Sequence, residues 1–212
     1  YMEEWGADAF RTYLMFLGPY EQGGDFRDQG IIGVKKFLDR LWLSANSARV
    51  DGDTDERVMR KLHQTIRKVG DDVPRLSYNT AIAAMMEYMN VLRGAERTPH
   101  RDEVLPLVQL VSPFAPHLAE ELWERLGGDG GSGASVFDAG WPPFDPKLAT
   151  EEQLALAVQV NGKTRGTVSV PREVDQAGAL AAAMAEPSIA KFVTGTPKKV
   201  IFVAGRLINI VV

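Results

Sequence analysis

Residues 154–170, LALAVQVNGKTRGTVSV, decide the fold class of this chain, because the spacing of apolar residues changes at this stretch. Leucine and valine recur at every second position on either side of Asn161-Gly162, with polar or small residues between them. Alternation of this kind places the apolar side chains on one face of a strand, and Asn-Gly is a frequent hairpin turn. The stretch therefore predicts an antiparallel β-hairpin with one buried and one open face.

The length of the hairpin turn decides where two cations point. A two-residue turn at Asn161-Gly162 would pair residue 160 with 163, which mixes the buried valines with Lys163 and Arg165 on one face. A three-residue turn with Gly162 in the left-handed region pairs residue 159 with 163 and keeps the valines together. We therefore expect the three-residue turn, with Lys163 and Arg165 side by side on the open face.

The rest of the tail continues the same small domain. Residues 175–194 predict one or two short helices split at Pro187, and VIFVAG and LINIVV predict two further strands around Gly205-Arg206. Residues 151–212 are therefore interpreted as an α+β domain, which at about 60 residues can fold around its own core.

Before residue 150 the apolar residues follow a helical period instead. A first helix over 3–17 ends at Gly18-Pro19, and residues 1–20 are interpreted as the end of a connection from preceding sequence, since the chain opens within a helix. Further amphipathic segments predict an antiparallel helical bundle over 21–150. The predicted fold class is thus a mainly α helical bundle followed by a small α+β domain.

Charge is distributed unevenly, although the net charge is only -4. Residues 153–212 hold seven Lys and Arg against three Asp and Glu, and residues 28–68 hold nine against six. In the helix predicted over 53–73, the cations lie off the apolar stripe. Basic zones attract polyanions, so the residues predict a polyanionic partner; a solvated charged surface and a protein-interaction module are the alternatives.

Several kinds of chemistry are excluded or disfavoured by the residues present. The absence of cysteine excludes disulfides, thiolate catalysis and cysteine-ligated zinc. The string NGKT ends like a phosphate-binding P-loop, but that motif requires glycine where the chain has Ala157, and a helix after the loop. No histidine accompanies a nucleophile at catalytic spacing. We predict no catalytic residue, no metal site and no cofactor within this chain.

The sequence has neither a signal peptide nor an apolar stretch of about 18 residues that could span a membrane. We therefore expect a cytoplasmic protein without a membrane partner. We also expect it to be a monomer.

Four segments resemble a known family. EEWGADAFRTYLMFLGP (3–19) is similar to the segment after the KMSKS loop of class I aminoacyl-tRNA synthetases, and VSPFAPHLAEELWERLG (111–127) resembles a signature of their helical anticodon-binding domain. LAVQVNGKTRGTVSVP (156–171) and KKVIFVAGRLINIVV (198–212) resemble the compact C-terminal domain of bacterial-type leucyl-tRNA synthetases. The resemblance extends over essentially the whole chain.

The resemblance implies a function for a longer protein. Such an enzyme joins leucine to tRNA(Leu) with ATP and magnesium through leucyl-adenylate, and it edits mischarged tRNA. The catalytic and editing domains would be partners on the same chain, so this part would supply tRNA docking only. A valyl or isoleucyl enzyme is the alternative within the class, although the former would be expected to end in a coiled coil and the latter in a cysteine-bearing zinc module.

The resemblance also directs attention to the basic residues. In this family the helical bundle lies along the inside of the L-shaped tRNA, and the C-terminal domain reaches its outer corner. Shared charge and an expected shared face make five residues of the tail candidates for contacts with that corner: Lys163, Arg165, Lys198, Lys199 and Arg206. Four residues of the bundle are candidates for contacts with the RNA backbone: Lys36, Arg40, Arg60 and Arg67.

Overall fold

The computed structural model divides the chain into two compact units, Tyr1–Thr150 and Glu151–Val212. The first unit is helical, and the second combines short helices with a mixed four-stranded sheet, so that about half of the chain is helical. Each unit has its own hydrophobic core. The structure describes residues 1–19, 21–22, 24–27, 29–128, 130–150, 153–171, 173–193, 195 and 197–212.

The helices of the first unit follow the apolar periodicity of the sequence. In the fourth helix, for example, Val58, Leu62 and Val69 are buried on one side, and Asp55 caps the first turn by accepting the N–H of Val58 at 2.9 Å. The helices are α1 (Met2–Trp5), α2 (Ala7–Phe16), α3 (Gly30–Asn46), α4 (Glu56–Asp72), α5 (Tyr78–Gly94), α6 (Arg101–Val111) and α7 (Pro116–Arg125), with a 3-10 turn at Val73–Arg75.

The single helix predicted over residues 3–17 is wrong in one respect, because the structure divides it into α1 and α2. Gly6 separates the two helices with φ 84° and ψ 156°, a conformation outside the helical region that glycine adopts without a steric cost. Ala9, Thr12 and Tyr13 of α2 are buried against the other helices, so this segment belongs to the core of the first unit.

A buried carboxylate joins the start of α4 to the start of α6. The Glu103 side chain is fully buried; its Oε1 accepts the N–H of Asp55 at 2.7 Å, and its Oε2 accepts the N–H of His100 at 2.8 Å. Arg97 donates to both carboxylate oxygens, at 2.5 and 3.0 Å. Burial alone would raise the pKa of Glu103, but the hydrogen bonds from Arg97 and the two backbone groups outweigh it and lower that pKa.

The second unit is a sheet with helices on one face. Its strands are β1 (Gln153–Val160), β2 (Lys163–Pro171), β3 (Lys199–Val203) and β4 (Leu207–Val211), in the order β2-β1-β4-β3, with β1 and β4 parallel and the other pairs antiparallel. Helices α8 (Gln176–Ala185) and α9 (Pro187–Ala190) are separated at Pro187, as the sequence predicts, and the four predicted strands are confirmed. The core contains side chains from the sheet and from both helices: Leu156, Val158, Val160, Val168, Val170, Ala179, Ala183, Ile189, Ile208 and Ile210.

The three-residue hairpin turn predicted from the sequence is wrong. Val160 pairs directly with Lys163 across a two-residue turn, in which Asn161 and Gly162 have φ values of 50° and 76°. The register then shifts, because Gln159 pairs with Thr164 whereas Val158 pairs with Gly166. Arg165 is thus the extra residue of a β-bulge, and this bulge returns the valines of both strands to one face.

No helix in the described residues combines the length and the apolar character that crossing a membrane requires.

Candidate nucleic-acid interface

Most cations of the first unit are engaged by the protein itself. Ion pairs join Lys61 to Glu87 at 3.0 Å and Lys68 to Asp72 at 2.5 Å, so the basic side of α4 is largely compensated. Other arginines serve as structural donors to backbone carbonyls: Arg101, for instance, donates to the oxygens of residues 126 and 127 at 2.5 and 2.9 Å. The charge count of residues 28–68 therefore overstates the cationic surface that is available to a partner.

The four candidates of the first unit lie on two helices. Lys36 is exposed and Arg40 is half-buried, one turn apart on α3, and Arg40 Nη1 lies 3.4 Å from the amide oxygen of Asn90. Arg60 and Arg67 lie two turns apart on α4. Arg60 pairs at 3.0 Å with Glu56, whose side chain is 81% exposed. An ion pair this exposed contributes less than about 1 kcal/mol, so a phosphate could replace Glu56 at little cost.

Arg67 lies between two contacts of the segment that crosses α4. Four residues earlier, His63 accepts the N–H of Asp145 at 3.0 Å through Nδ1. Three residues later, Trp141 Nε1 lies 3.3 Å from the position a Cβ would take at Gly70. Residues at this spacing share a helix face, so the crossing segment flanks Arg67 and leaves it half-buried.

A groove between α3 and α5 contains two arginines that the sequence did not single out. Arg93 and Arg97 line a cavity of about 540 Å³ together with Arg40 and Glu96. Sequence spacing could not place Arg40 beside them, because Arg40 lies on α3, whereas Arg93 lies on α5 and Arg97 in the loop that follows α5. The C-terminal ends of α3 and α5 lie beside the groove, and the free carbonyls at a helix C-terminus are stabilised by nearby cations. Arg97 is bound to the carboxylate of Glu103 and Arg40 lies 3.4 Å from the amide oxygen of Asn90, so we assign no ligand to the groove.

The second unit uses its charges differently. Two of its carboxylates cap helices: Asp175 accepts the N–H of Gly178 at 2.8 Å, and Glu186 accepts that of Ser188 at 3.4 Å. Six cations are exposed, and within the described residues their side chains make no ion pair and no hydrogen bond: Lys163, Arg165, Lys191, Lys198, Lys199 and Arg206. This unit therefore presents uncompensated positive charge to solvent.

The five tail candidates do not share one face in the structure, although the sequence predicted that they would. Lys199 pairs with Val211 at the end of the sheet that carries the hairpin turn, so Lys198, Lys199 and Lys163 share that end. The two edge strands that carry them are three strand spacings apart, which is about 14 Å. Arg206 lies at the opposite end, in the turn between β3 and β4. Three of the candidates thus lie at one end of the sheet, and Arg206 lies at the other.

The bulge moves Arg165 away from the open face on which it was expected. Its guanidinium carbon lies 4.1 Å from the centre of the Phe192 ring, and Phe192 packs against the core beneath the helices. Lys191 Nζ lies 5.1 Å from the centre of the same ring. Sequence reasoning missed Lys191 and Phe192, because only the folded register brings them to residue 165. Lys163 pairs with the buried Val160, so it too begins on the helix-covered face.

The described histidines have structural partners. His117 Nδ1 lies 2.9 Å from Asp8, which also accepts the N–H of Leu118 at the start of α7. His100 caps α6. Burial lowers the pKa of His63, which Asp145 partly opposes. Among the described residues no three His, Asp or Glu side chains are grouped as a metal would require, and the NGKT string lies in a hairpin between two strands.

Comparisons with known proteins agree with this architecture. A family model described as the anticodon-binding domain of tRNA ligase matches residues 55–178. Leucine–tRNA ligases from Herpetosiphon aurantiacus and Clostridium perfringens are 42% and 39% identical over 99% and 100% of the chain, which spans only 26% and 28% of their lengths.

A solved structure resembles both units. It is the ternary complex of Agrobacterium radiobacter K84 agnB2 LeuRS with tRNA and LeuAMS, with 30% identity and a TM-score of 0.72 over 99% of this chain and 29% of that one. Because the family model covers more than half of the residues, the chain belongs to the family of tRNA ligase anticodon-binding domains.

Proposed function

We propose that this chain is the tRNA-docking C-terminal part of a cytoplasmic, monomeric leucine–tRNA ligase. The full-length enzyme would attach leucine to tRNA(Leu) with ATP and Mg²⁺ through leucyl-adenylate, and it would edit mischarged tRNA in domains that belong to the same chain. One observation carries the proposal: a LeuRS–tRNA complex resembles 99% of the chain, and therefore both of its units. The leucine–tRNA ligases of similar sequence support the same substrate.

The two units would contact different parts of the tRNA. The helical bundle, residues 21–150, would lie along the inside of the tRNA, with Lys36, Arg40, Arg60 and Arg67 near the backbone. The second unit would reach the outer corner with the cations that it leaves uncompensated. Contacts of this kind hold phosphates and carry little sequence information, so the chain would position the acceptor end for chemistry that takes place elsewhere.

The test is a titration of the 212-residue chain with leucine, valine and isoleucine tRNAs at 50 and 200 mM salt. We expect the leucine tRNA to bind most tightly. Its affinity should fall roughly 40-fold to 500-fold between the two salt concentrations if three to five phosphates are contacted. Tightest binding of the valine or isoleucine tRNA would assign the chain to that enzyme instead. Equal, salt-insensitive binding of all three would overturn the proposal.

A protein-interaction module is the second candidate function, and a specific surface favours it. On the sheet face away from the helices, the edge strand β3 exposes Ile201 and Val203 by 41% and 43%. Apolar side chains on an exposed edge strand can receive another protein. Complex formation that survives nuclease treatment and is lost in Ile201→Ser would favour this candidate over RNA docking.

A further inference from the structure

Two cations of the second unit converge on one aromatic ring. The guanidinium of Arg165 lies 4.1 Å from the centre of Phe192, and the ammonium of Lys191 lies 5.1 Å from that centre. Because both distances end at the same point, the two charges are at most about 9 Å apart. This upper bound is close to the Debye length of about 8 Å at physiological salt, so the repulsion between the two cations is only partly screened.

The backbone determines where both side chains begin. Arg165 is the bulged residue of β2, and a bulge turns a side chain from the direction that regular alternation would give it. The next residue, Gly166, lies so close to α9 that a Cβ there would meet Ile189 at 3.2 Å, so the bulge is held against this helix. Lys191 is the C-cap of the same helix. The strand and the helix thus place both cations beside the same aromatic ring.

The Phe192 ring offsets part of the repulsion between the two cations but does not neutralise their charge. The face of an aromatic ring attracts cations with roughly 0.5–1 kcal/mol at exposed sites, much less than an ion pair with a bound anion could supply. No described carboxylate of the second unit pairs with either cation, and two of its acidic side chains cap helices instead. A ligand that supplies negative charge between Arg165 and Lys191 would remove the repulsion.

We propose that Arg165 and Lys191 together hold a single backbone phosphate of bound RNA, with Phe192 as the platform beneath them. This inference rests on the proposed tRNA docking and assigns it a specific subsite. We assign a phosphate and not a stacked base to this subsite, because the Phe192 ring is half-buried and both cations lie over it. Arg165 offers a planar pair of donors to two phosphate oxygens, and Lys191 adds a point charge.

A double-mutant cycle on the 212-residue chain tests this subsite with leucine tRNA. Arg165→Gln and Lys191→Gln should each weaken binding by about tenfold, which corresponds to the loss of one charge-assisted hydrogen bond. Because they serve one phosphate, the double variant should also lose about tenfold and not about a hundredfold. The salt dependence should fall by one phosphate contact in all three variants. Additive losses, or no loss, would overturn the subsite while the proposed docking stands.

The matched control pairs Arg165→Gln with Lys199→Gln. These residues lie on opposite edge strands, about 14 Å apart across the sheet, too far to share one phosphate. The losses in this control should multiply. Phe192→Leu tests the platform, because it removes the ring and keeps both charges; we expect the coupling between Arg165 and Lys191 to shrink while the fold, checked by circular dichroism, is retained.

A titration with inorganic pyrophosphate separates failure of the subsite from failure of the docking proposal. We expect pyrophosphate to shift the ring resonances of Phe192 in the NMR spectrum of the parent chain. It should not shift them in the Arg165→Gln and Lys191→Gln double variant. If leucine tRNA does not bind but these shifts appear, the docking proposal falls and the anion site remains. If leucine tRNA does not bind and pyrophosphate causes no shift, both the docking proposal and the phosphate subsite are wrong.

Discussion

Glu103 is a buried charge that connects several parts of the first unit. Its buried carboxylate accepts hydrogen bonds from two backbone groups and from Arg97, whose side chain is 26% exposed. The same residue's carbonyl oxygen accepts the Tyr88 hydroxyl at 2.6 Å. One side chain thus binds the N-cap residues of two helices, one of which, Asp55, lies 48 residues away in the chain.

Removing the charge of Glu103 should destabilise the protein. Glu103→Gln leaves Arg97 without its anion and replaces an acceptor by an amide donor facing backbone N–H groups. We expect the free energy of unfolding, measured in urea, to fall by about 3 kcal/mol. The control is Glu87→Gln, which removes an exposed pair with Lys61 and should cost less than about 1 kcal/mol. Equal costs for the two variants would contradict the role given to Glu103.

The same carboxylate makes stability depend on pH. The pKa of Glu103 is lower in the folded protein than its ordinary value of 4.5, so the unfolded chain binds a proton more readily. The stabilisation is therefore complete above about pH 4.5 and is lost as the pH falls through the lower, folded pKa. Urea unfolding between pH 7 and pH 3 should show a steeper loss in the parent chain than in Glu103→Gln, and parallel curves would refute this assignment.

At the level of elements, the sequence predicted more of the strands and helices than of the turn between them. The alternating period identified the four strands, because burial on one side of a strand leaves a repeating pattern. Pro187 itself marked the split between α8 and α9. The turn prediction failed because it assumed a regular register from Val158 to Lys163. A bulge shifts the register, and no residue type in the sequence predicts its position. The position of Arg165 over Phe192 was unpredictable for the same reason.

The hairpin turn gives a prediction whose sign depends on backbone conformation. Gly162 has φ 76°, a region that costs other residues roughly 1–2 kcal/mol, so Gly162→Ala should lower the melting temperature of the second unit. Gly33→Ala is the matched control within α3, where nothing lies within 4 Å of the added methyl group. It should raise the stability of the first unit by about 0.5–1 kcal/mol. Changes of the same sign would contradict the assigned conformations.

At the scale of the whole molecule, the two units differ in what their cations do. Those of the first unit are largely tied to carboxylates and carbonyls, whereas the six described cations of the second unit are exposed without such partners. The sequence gives the number of charges in each unit but not their pairing, because pairing depends on side chains from different helices. The basic helix predicted over 53–73 consequently looked more available to RNA than it is.

The most direct test of the account compares two triple variants of equal charge for binding to leucine tRNA by filter retention at 50 and 200 mM salt. Lys163, Lys198 and Lys199 are changed to Gln in one variant, and the ion-paired Lys61, Lys68 and Arg125 in the other. We predict that the second-unit variant loses roughly tenfold or more in affinity and that its salt dependence becomes shallower by two to three contacts, whereas the first-unit variant changes little. A larger loss in the first-unit variant, or equal losses in both, would contradict the claim that the second unit docks the RNA through its uncompensated cations.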